Sequence, residues 1–207
     1  MQGVAGKLFV ISAPSGAGKT TLVNALLRTK VGLLSRVTTY TTKPRPLNQA
    51  DTEYHFISVE EFQAKIAQGF FLEWSTAYGT YYGSPAHIID AVHKGNSYIM
   101  IVDRAGAQAL AKVYPAVILI WIYTSDIAIL SERLYARARD THAQIEARLH
   151  LAKDEIEQES KNSIYCYHIC NDVFSVALES LENIVQQELF VKSTNELNLK
   201  YSSKNQG

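Results

Sequence analysis

The nine residues from Ser12 to Thr20 read Ser-Ala-Pro-Ser-Gly-Ala-Gly-Lys-Thr and directly follow the apolar run Leu8-Phe9-Val10-Ile11. Their spacing matches the pattern G-x-x-x-x-G-K-[ST], with Ala13 at the first glycine position. The residue types suit one chemistry. Gly16 and Gly18 let the main chain curl so that successive N–H groups turn inward toward phosphate oxygens. A helix starting at about Gly18 adds its positive end. Ala13, Pro14, Ser15, Gly16, Ala17 and Gly18 would form the cradle. Lys19 would set a compact charge near the β- and γ-phosphates, and the Thr20 hydroxyl would ligate Mg²⁺. A plain strand–turn–helix would need neither the glycine pair nor the Lys-Thr after it. The loop points to a nucleoside triphosphate without naming the reaction.

A second constellation lies downstream. Residues 38–46 read Thr-Thr-Tyr-Thr-Thr-Lys-Pro-Arg-Pro. They are followed by Tyr54, by Phe71-Leu-Glu-Trp74, by a Tyr-rich stretch from Tyr78 to Ser84, and by Asp103-Arg-Ala-Gly106. Arg45, Tyr54 and Tyr82 together supply one fixed charge and two phenolic donors, enough to hold a second anion. Glu73 and Asp103 are acceptors that match a purine offering N–H groups, such as guanine. Gly83 reads as a point where the backbone approaches a ligand closely. Phe70, Phe71 and Trp74 read mostly as core.

The elements that must position these residues alternate. Buried strands are expected at Lys7–Ser12, Tyr98–Asp103 and Ala116–Tyr123, with an extended stretch at Phe70–Ala77. Helices are expected at about Gly18–Thr29, Val59–Gln68, Ser84–Lys94, Ala105–Val113, Asp126–Arg137, Thr141–Ser160 and Val173–Phe190. Thr141 with Gln144 forms a capping-box pattern, and Gly69 and Gly95 stand where helices should end. The pattern implies an α/β fold: a P-loop parallel-sheet core with helices on both faces. Ligands in such sheets sit at the carboxyl ends of the strands, where Ala13–Thr20 lies. The Thr- and Tyr-rich stretch at about 36–95 reads as an inserted lobe within a core at about 5–35 and 96–190. The polar tail at 193–207 is expected to fray.

At 207 residues, 47% apolar, 19% charged and with zero formal net charge, the chain suits one globular domain rather than a basic nucleic-acid binder. The longest apolar run, Val117–Tyr123, is too short to span a bilayer. The N-terminal apolar stretch runs into the phosphate loop, so cleavage of a signal peptide would destroy that loop. The expectation is a cytoplasmic protein without membrane or nucleic-acid partners. Cys166 and Cys170 are expected as buried or half-buried free thiols, and the six histidines show no metal spacing.

Residues 12–20, the Thr-Thr-Lys-Pro-Arg-Pro segment, Phe71–Trp74, Tyr81–Ser84 and Asp103–Gly106 resemble the guanylate kinase family, in order, over roughly Lys7–Gln187. The resemblance implies a nucleoside monophosphate kinase fold with a GMP-binding lobe and a mobile lid at about 133–150. It implies the reaction ATP + GMP ⇌ ADP + GDP with Mg²⁺. The implied guanine readers are Thr38, Glu73, Asp103 and Ser84, and the implied GMP phosphate binders are Arg45, Tyr54 and Tyr82. Arg133, Arg137 and Arg148 correspond to lid arginines that would neutralise the transferring group, and Asn171 corresponds to the adenine pocket. The chain departs from the family pattern at Thr42, where an Arg is usual, and at Ile101, where an Asp is usual. Leu47 and Asp51 replace usual glycines. A monomer or weak homo-oligomer is expected. Two rival functions share the fold: a phosphopeptide-binding module using the GMP phosphate site, and a kinase of another phosphorylated acceptor such as a ribose phosphate. Lys19, Thr20 and the three arginines argue against the first, Glu73 and Asp103 against the second.

Overall fold

The computed structural model describes residues 5–45, 53–77, 79–137 and 140–202, with side chains described as far as residue 190. Leu47, Asp51, Tyr78 and Arg139 lie outside the described residues.

The first strand, β1 (Leu8–Ser12), is buried along its whole length, as a central parallel strand must be when both faces are covered. Its alternate residues go to opposite faces. Phe9 and Ile11 join one core cluster with Leu22, Leu26, Leu181 and Val185. Leu8 and Val10 join another with Val92, Met100, Leu110 and Leu119. The helices that supply these partners are α1 (Lys19–Thr29) and α7 (Phe174–Ser202) on one face, and α3 (Ile88–His93) and α4 (Arg104–Val113) on the other. Each large side chain buried this way contributes about 1.5–3 kcal/mol of apolar transfer.

The large sheet has five parallel strands in the order β2 (Ser35–Arg36), β7 (Tyr98–Ile101), β1, β8 (Ile118–Tyr123), β9 (Tyr167–Cys170). A second sheet of four strands runs β4 (Tyr54–Phe56), β3 (Thr39–Thr41), β6 (Thr80–Pro85), β5 (Phe71–Ala77), with α2 (Val59–Ala67) packed on it. Two further helices, α5 (Ile127–Ala136) and α6 (His142–Lys161), complete the chain. No helix among the described residues is long and apolar enough to cross a membrane.

Several sequence expectations change. Ser84 and Pro85 end a strand, and the helix starts only at Ile88, because residues 80–85 pair antiparallel with β5. Trp74 is 46% exposed, not core. Period two puts it on the sheet face opposite the buried Glu73, 6.1 Å from the ring of Tyr81. Gly83 is small for packing: a Cβ there would come within 2.9 Å of both Phe62 and Phe71. Those two rings stack at 4.4 Å, so the neighbour of Gly83 is the small sheet's own core, not a ligand. Cys166 is exposed and Cys170 half-buried, both as free thiols. The last helix runs to Ser202, past the expected end at Phe190 and into the segment expected to fray. The capping box at Thr141 and Gln144 forms in full, and Gly69 and Gly95 adopt positive φ of 64° and 97°.

Candidate active site

The phosphate loop is built by two left-handed glycines. Gly16 and Gly18 both have φ near 91°, a region where L side chains are strained. Gly18 is also the N-cap of α1, so the turn hands the chain into a helix whose free N–H groups face the loop. The loop is braced from outside. Asn171, just past β9, donates from Nδ2 to the Ala17 carbonyl at 2.7 Å, and a Cβ on Gly18 would lie 2.5 Å from the same nitrogen. A Cβ on Gly16 would meet Leu130 and Leu134 of α5 at 3.3 Å.

Lys19 bends back over this loop, donating to the Ala13 carbonyl at 2.5 Å. Burial pushes its ammonium down to about 8. Glu155 and Asp103 push it back up, while Arg137 and Arg148 push it further down. Arg148 reaches the loop from α6, with Nη1 3.4 Å from Ser15 Oγ and Nη2 3.3 Å from Asp140. Arg133 donates to the backbone carbonyls of Asn171 and Asp172, at 2.9 and 3.3 Å. It thereby ties α5 to the segment that braces the loop. Thr20 is exposed on the first turn of α1.

A cavity of about 500 Å³ opens beside Lys19 and extends to the small sheet. Its lining includes Ala13, Ser15, Thr39, Tyr54, Glu73, Ser75, Tyr82, Ile101 and Asp103. Strand geometry places several of these: Glu73, Ser75 and Ala77 are two apart on β5 and face the same way. Glu73 is 5% exposed and accepts a hydrogen bond from Ser84 Oγ at 2.7 Å. Burial pushes its carboxyl up to about 7, Asp103 adds to that, and the Ser84 contact opposes it. Asp103 caps α4, accepting from Gly106 N at 2.7 Å, and its other oxygen accepts from Ser75 Oγ at 2.7 Å. Tyr54 and Tyr82 lie with ring centroids 6.2 Å apart, and burial pushes the Tyr82 phenol up.

Three of the residues expected at the second anion and base stand off the cavity lining: Ser84, buried behind Glu73, and Thr38 and Arg45. Thr38 is exposed and off the cavity, while its neighbour Thr39 lines it. The reason is local: Thr39 begins the strand that pairs with Tyr54, and Thr38 precedes it. Arg45 is exposed with its guanidinium 5.8 Å above the Phe56 ring, outside the cavity lining. Thr42 is stitched into the sheet instead of facing an anion, its Oγ1 accepting from Tyr81 N at 3.0 Å. Ile101 puts an apolar side chain on the cavity wall.

Three residues escaped the sequence reading. Ser75 orients Asp103. Glu155 lines the cavity on the Lys19 side, its carboxyl pushed up to about 7 by burial while Lys19 pulls it down. Thr39 is the third. The signal for Glu155 was its place seven residues after Arg148, two turns on and therefore on one helix face. No cluster of three or more His, Cys, Asp or Glu fit for a metal exists among the described residues.

An ammonium and the glycine loop thus stand at one end of the cavity, and two carboxylates and two phenols at the other. The comparisons with known proteins point to one family. The guanylate kinase family model matches residues 5–188. A guanylate kinase of Maricaulis maris (strain MCS10) is 41% identical over 185 residues, covering 88% of this chain and 84% of that protein. One from Cupriavidus metallidurans (strain CH34) is 40% identical over 181 residues, covering 87% and 82%. The crystal structure of guanylate kinase from Anaplasma phagocytophilum superposes with a TM-score of 0.73 at 25% identity, covering 92% of this chain and 89% of that one. With the family model spanning most of its length and these relatives matched nearly end to end, the chain belongs to the guanylate kinase family.

Proposed function

We propose that this protein transfers the γ-phosphoryl group of ATP to the phosphate of GMP, giving ADP and GDP. The observation that carries the reading is the single cavity joining Lys19 and the phosphate loop to Glu73, Asp103, Tyr54 and Tyr82. ATP would lie with its phosphates in the loop from Ala13 to Lys19. GMP would present its base N–H groups to Glu73 and Asp103 and its phosphate to Tyr54 and Tyr82. Arg45 would join the phosphate only by leaving the Phe56 ring. Thr38 would reach the base only by a change at the start of β3.

The acceptor needs no protein base, because the GMP phosphate is already an anion. One of its oxygens bonds to the γ-phosphorus as the bond to the β,γ-bridging oxygen breaks, and ADP carries away the electron pair. Lys19, Arg137 and Arg148 would screen the charge that spreads over the transferring group. Arg133 would act by holding the Asn171–Asp172 segment against the loop. Mg²⁺ fits the donor set if ATP oxygens and water supply most of its ligands, with the Thr20 hydroxyl from the chain. When bound it neutralises phosphate charge. Ile101 would contribute nothing to its outer shell. The reading extends to a cytoplasmic enzyme acting on free nucleotides, as a monomer or weak homo-oligomer.

A coupled assay with ATP and Mg²⁺ offering GMP, dGMP and AMP in turn tests the proposal. GMP should be the best acceptor, and a clear preference for AMP would sink the base assignment. Lys19→Ala should lower kcat at least ~100-fold, in line with the loss of one preorganised electrostatic donor.

A further inference from the structure

The two sheets meet at a narrow joint, and one side-chain cluster straddles it. Val37 still belongs to the large sheet, donating its N–H to Ile99 O at 2.9 Å. Thr39 already belongs to the small one, donating to Glu53 O at 3.1 Å. Only Thr38 lies between. Arg36, on the large-sheet side, forks onto Glu53 across this joint: Nη1 to Oε1 at 2.9 Å and Nη2 to Oε2 at 3.1 Å. Asn24 of α1 closes the triangle, accepting from Arg36 Nη1 at 2.8 Å and donating to Glu53 Oε1 at 2.9 Å. The Arg36 and Glu53 side chains are only 16% and 22% exposed.

Each partner comes from a different part of the site. Asn24 lies four residues after Thr20, on the same face of the helix that carries Lys19. Glu53 directly precedes Tyr54, which lines the cavity. Arg36 ends the edge strand of the large sheet. A bidentate Arg–carboxylate pair resists both sliding and rotation, because two parallel hydrogen bonds must break together.

We propose that Arg36, Glu53 and Asn24 form a latch that fixes the small sheet, and with it Tyr54, at a set angle to the phosphate-loop helix. They are positioning residues, acting on the acceptor through Tyr54 and Thr39. The proposal rests on the reading that the small-sheet end of the cavity holds the phosphate acceptor. It adds residues to which that reading assigns no part.

The test uses Arg36→Met, Glu53→Gln, Asn24→Ala and the double variant R36M/E53Q, with both substrates varied. Each single change at Arg36 or Glu53 should raise the GMP KM about tenfold while the ATP KM stays within about twofold. The double variant should match the singles, since either change alone opens the fork. Arg36→Lys should fall between, keeping the charge without the fork. Hydrogen exchange supplies a readout independent of turnover. In Arg36→Met, peptides containing β3 and β4 should exchange faster, and those of β1 and β8 should not. Equal shifts in both KM values, additive effects in the double variant, or unchanged exchange at β3 and β4 would each overturn the latch. A parent protein that makes no GDP, yet loosens at β3 and β4 on Arg36→Met, would refute the proposed reaction and leave the latch standing.

Discussion

Glu73 is the buried side chain on which the proposed base recognition turns. Its carboxyl is pushed up to about 7 because burial disfavours its charge and Asp103 stands nearby. Guanine N–H donors would favour the ionised form, so binding below pH 7 must release a proton. The GMP KM should therefore rise as pH falls from 8 to 6. Glu155 is also pushed up to about 7, but it lines the Lys19 end, so its titration should appear in kcat. The GMP phosphate loses its second proton near pH 6 and adds its own dependence. Glu73→Gln separates these contributions. It should raise the GMP KM about 10- to 100-fold, the range for losing hydrogen bonds to a charged acceptor. It should also remove the limb near pH 7 while the phosphate limb near 6 survives. Steady-state KM profiles of the two proteins from pH 5.5 to 8.5 check this. A limb near 7 that persists in the variant would show that Glu73 does not read the base.

At the scale of elements, the phosphate loop is held as much by β9 and α5 as by its own glycines. Gly18 carries two constraints: a φ of 91° and Asn171 Nδ2 only 2.5 Å from where a Cβ would stand. Gly69 carries one, a φ of 64° with nothing within 4 Å. Gly69→Ala should then cost about 1 kcal/mol of backbone strain. Gly18→Ala should cost more, and it should raise the ATP KM by displacing Asn171 from Ala17. Melting temperatures and ATP titrations of the two variants measure the difference, and equal losses would mean the Asn171 brace is unimportant. These two positions also show what the sequence makes legible. The left-handed glycines of the loop, the capping box at Thr141 and the buried parallel strands all follow from local rules, because each depends on residues within a few positions. The Asn171 brace and the Ser75 contact to Asp103 join residues 154 and 28 apart, and the Arg36 fork, joining residues 17 apart, waits on how the two sheets meet. The places of Trp74 and Gly83 likewise depend on pairing between strands. Aromatic and glycine identities fit either a core or a site until the partner strand decides which face they occupy.

Across the whole molecule, the site concentrates groups that are uncomfortable when the cavity holds no ligand. Glu73 and Glu155 are pushed up from the usual carboxylate range to about 7, and Lys19 is pushed down to about 8. Between about pH 4.5 and 7 the folded chain holds protons on the two carboxyls that the unfolded chain has released, so stability falls as pH rises through that window. Between about 8 and 10.5 the unfolded chain holds a proton on lysine that the folded chain has released, so stability rises with pH there. These three groups therefore make the ligand-free protein least stable between pH 7 and 8, where all three charges are present. On the proposed reading nucleotides would relieve the strain, since phosphates would compensate Lys19 and base N–H groups would compensate Glu73. The melting temperature of the ligand-free protein should pass through a shallow minimum near neutral pH, and the gain on adding GMP with a non-hydrolysable ATP analogue should be largest there. Replacing Lys19 by Met, an uncharged side chain of similar length, should raise the ligand-free melting temperature at pH 7.5 while abolishing efficient turnover. A Lys19→Met protein less stable than its parent at that pH would mean that the lysine's contact with Ala13 O outweighs the cost of burying its charge. The site would then be a source of stability instead of a drain on it.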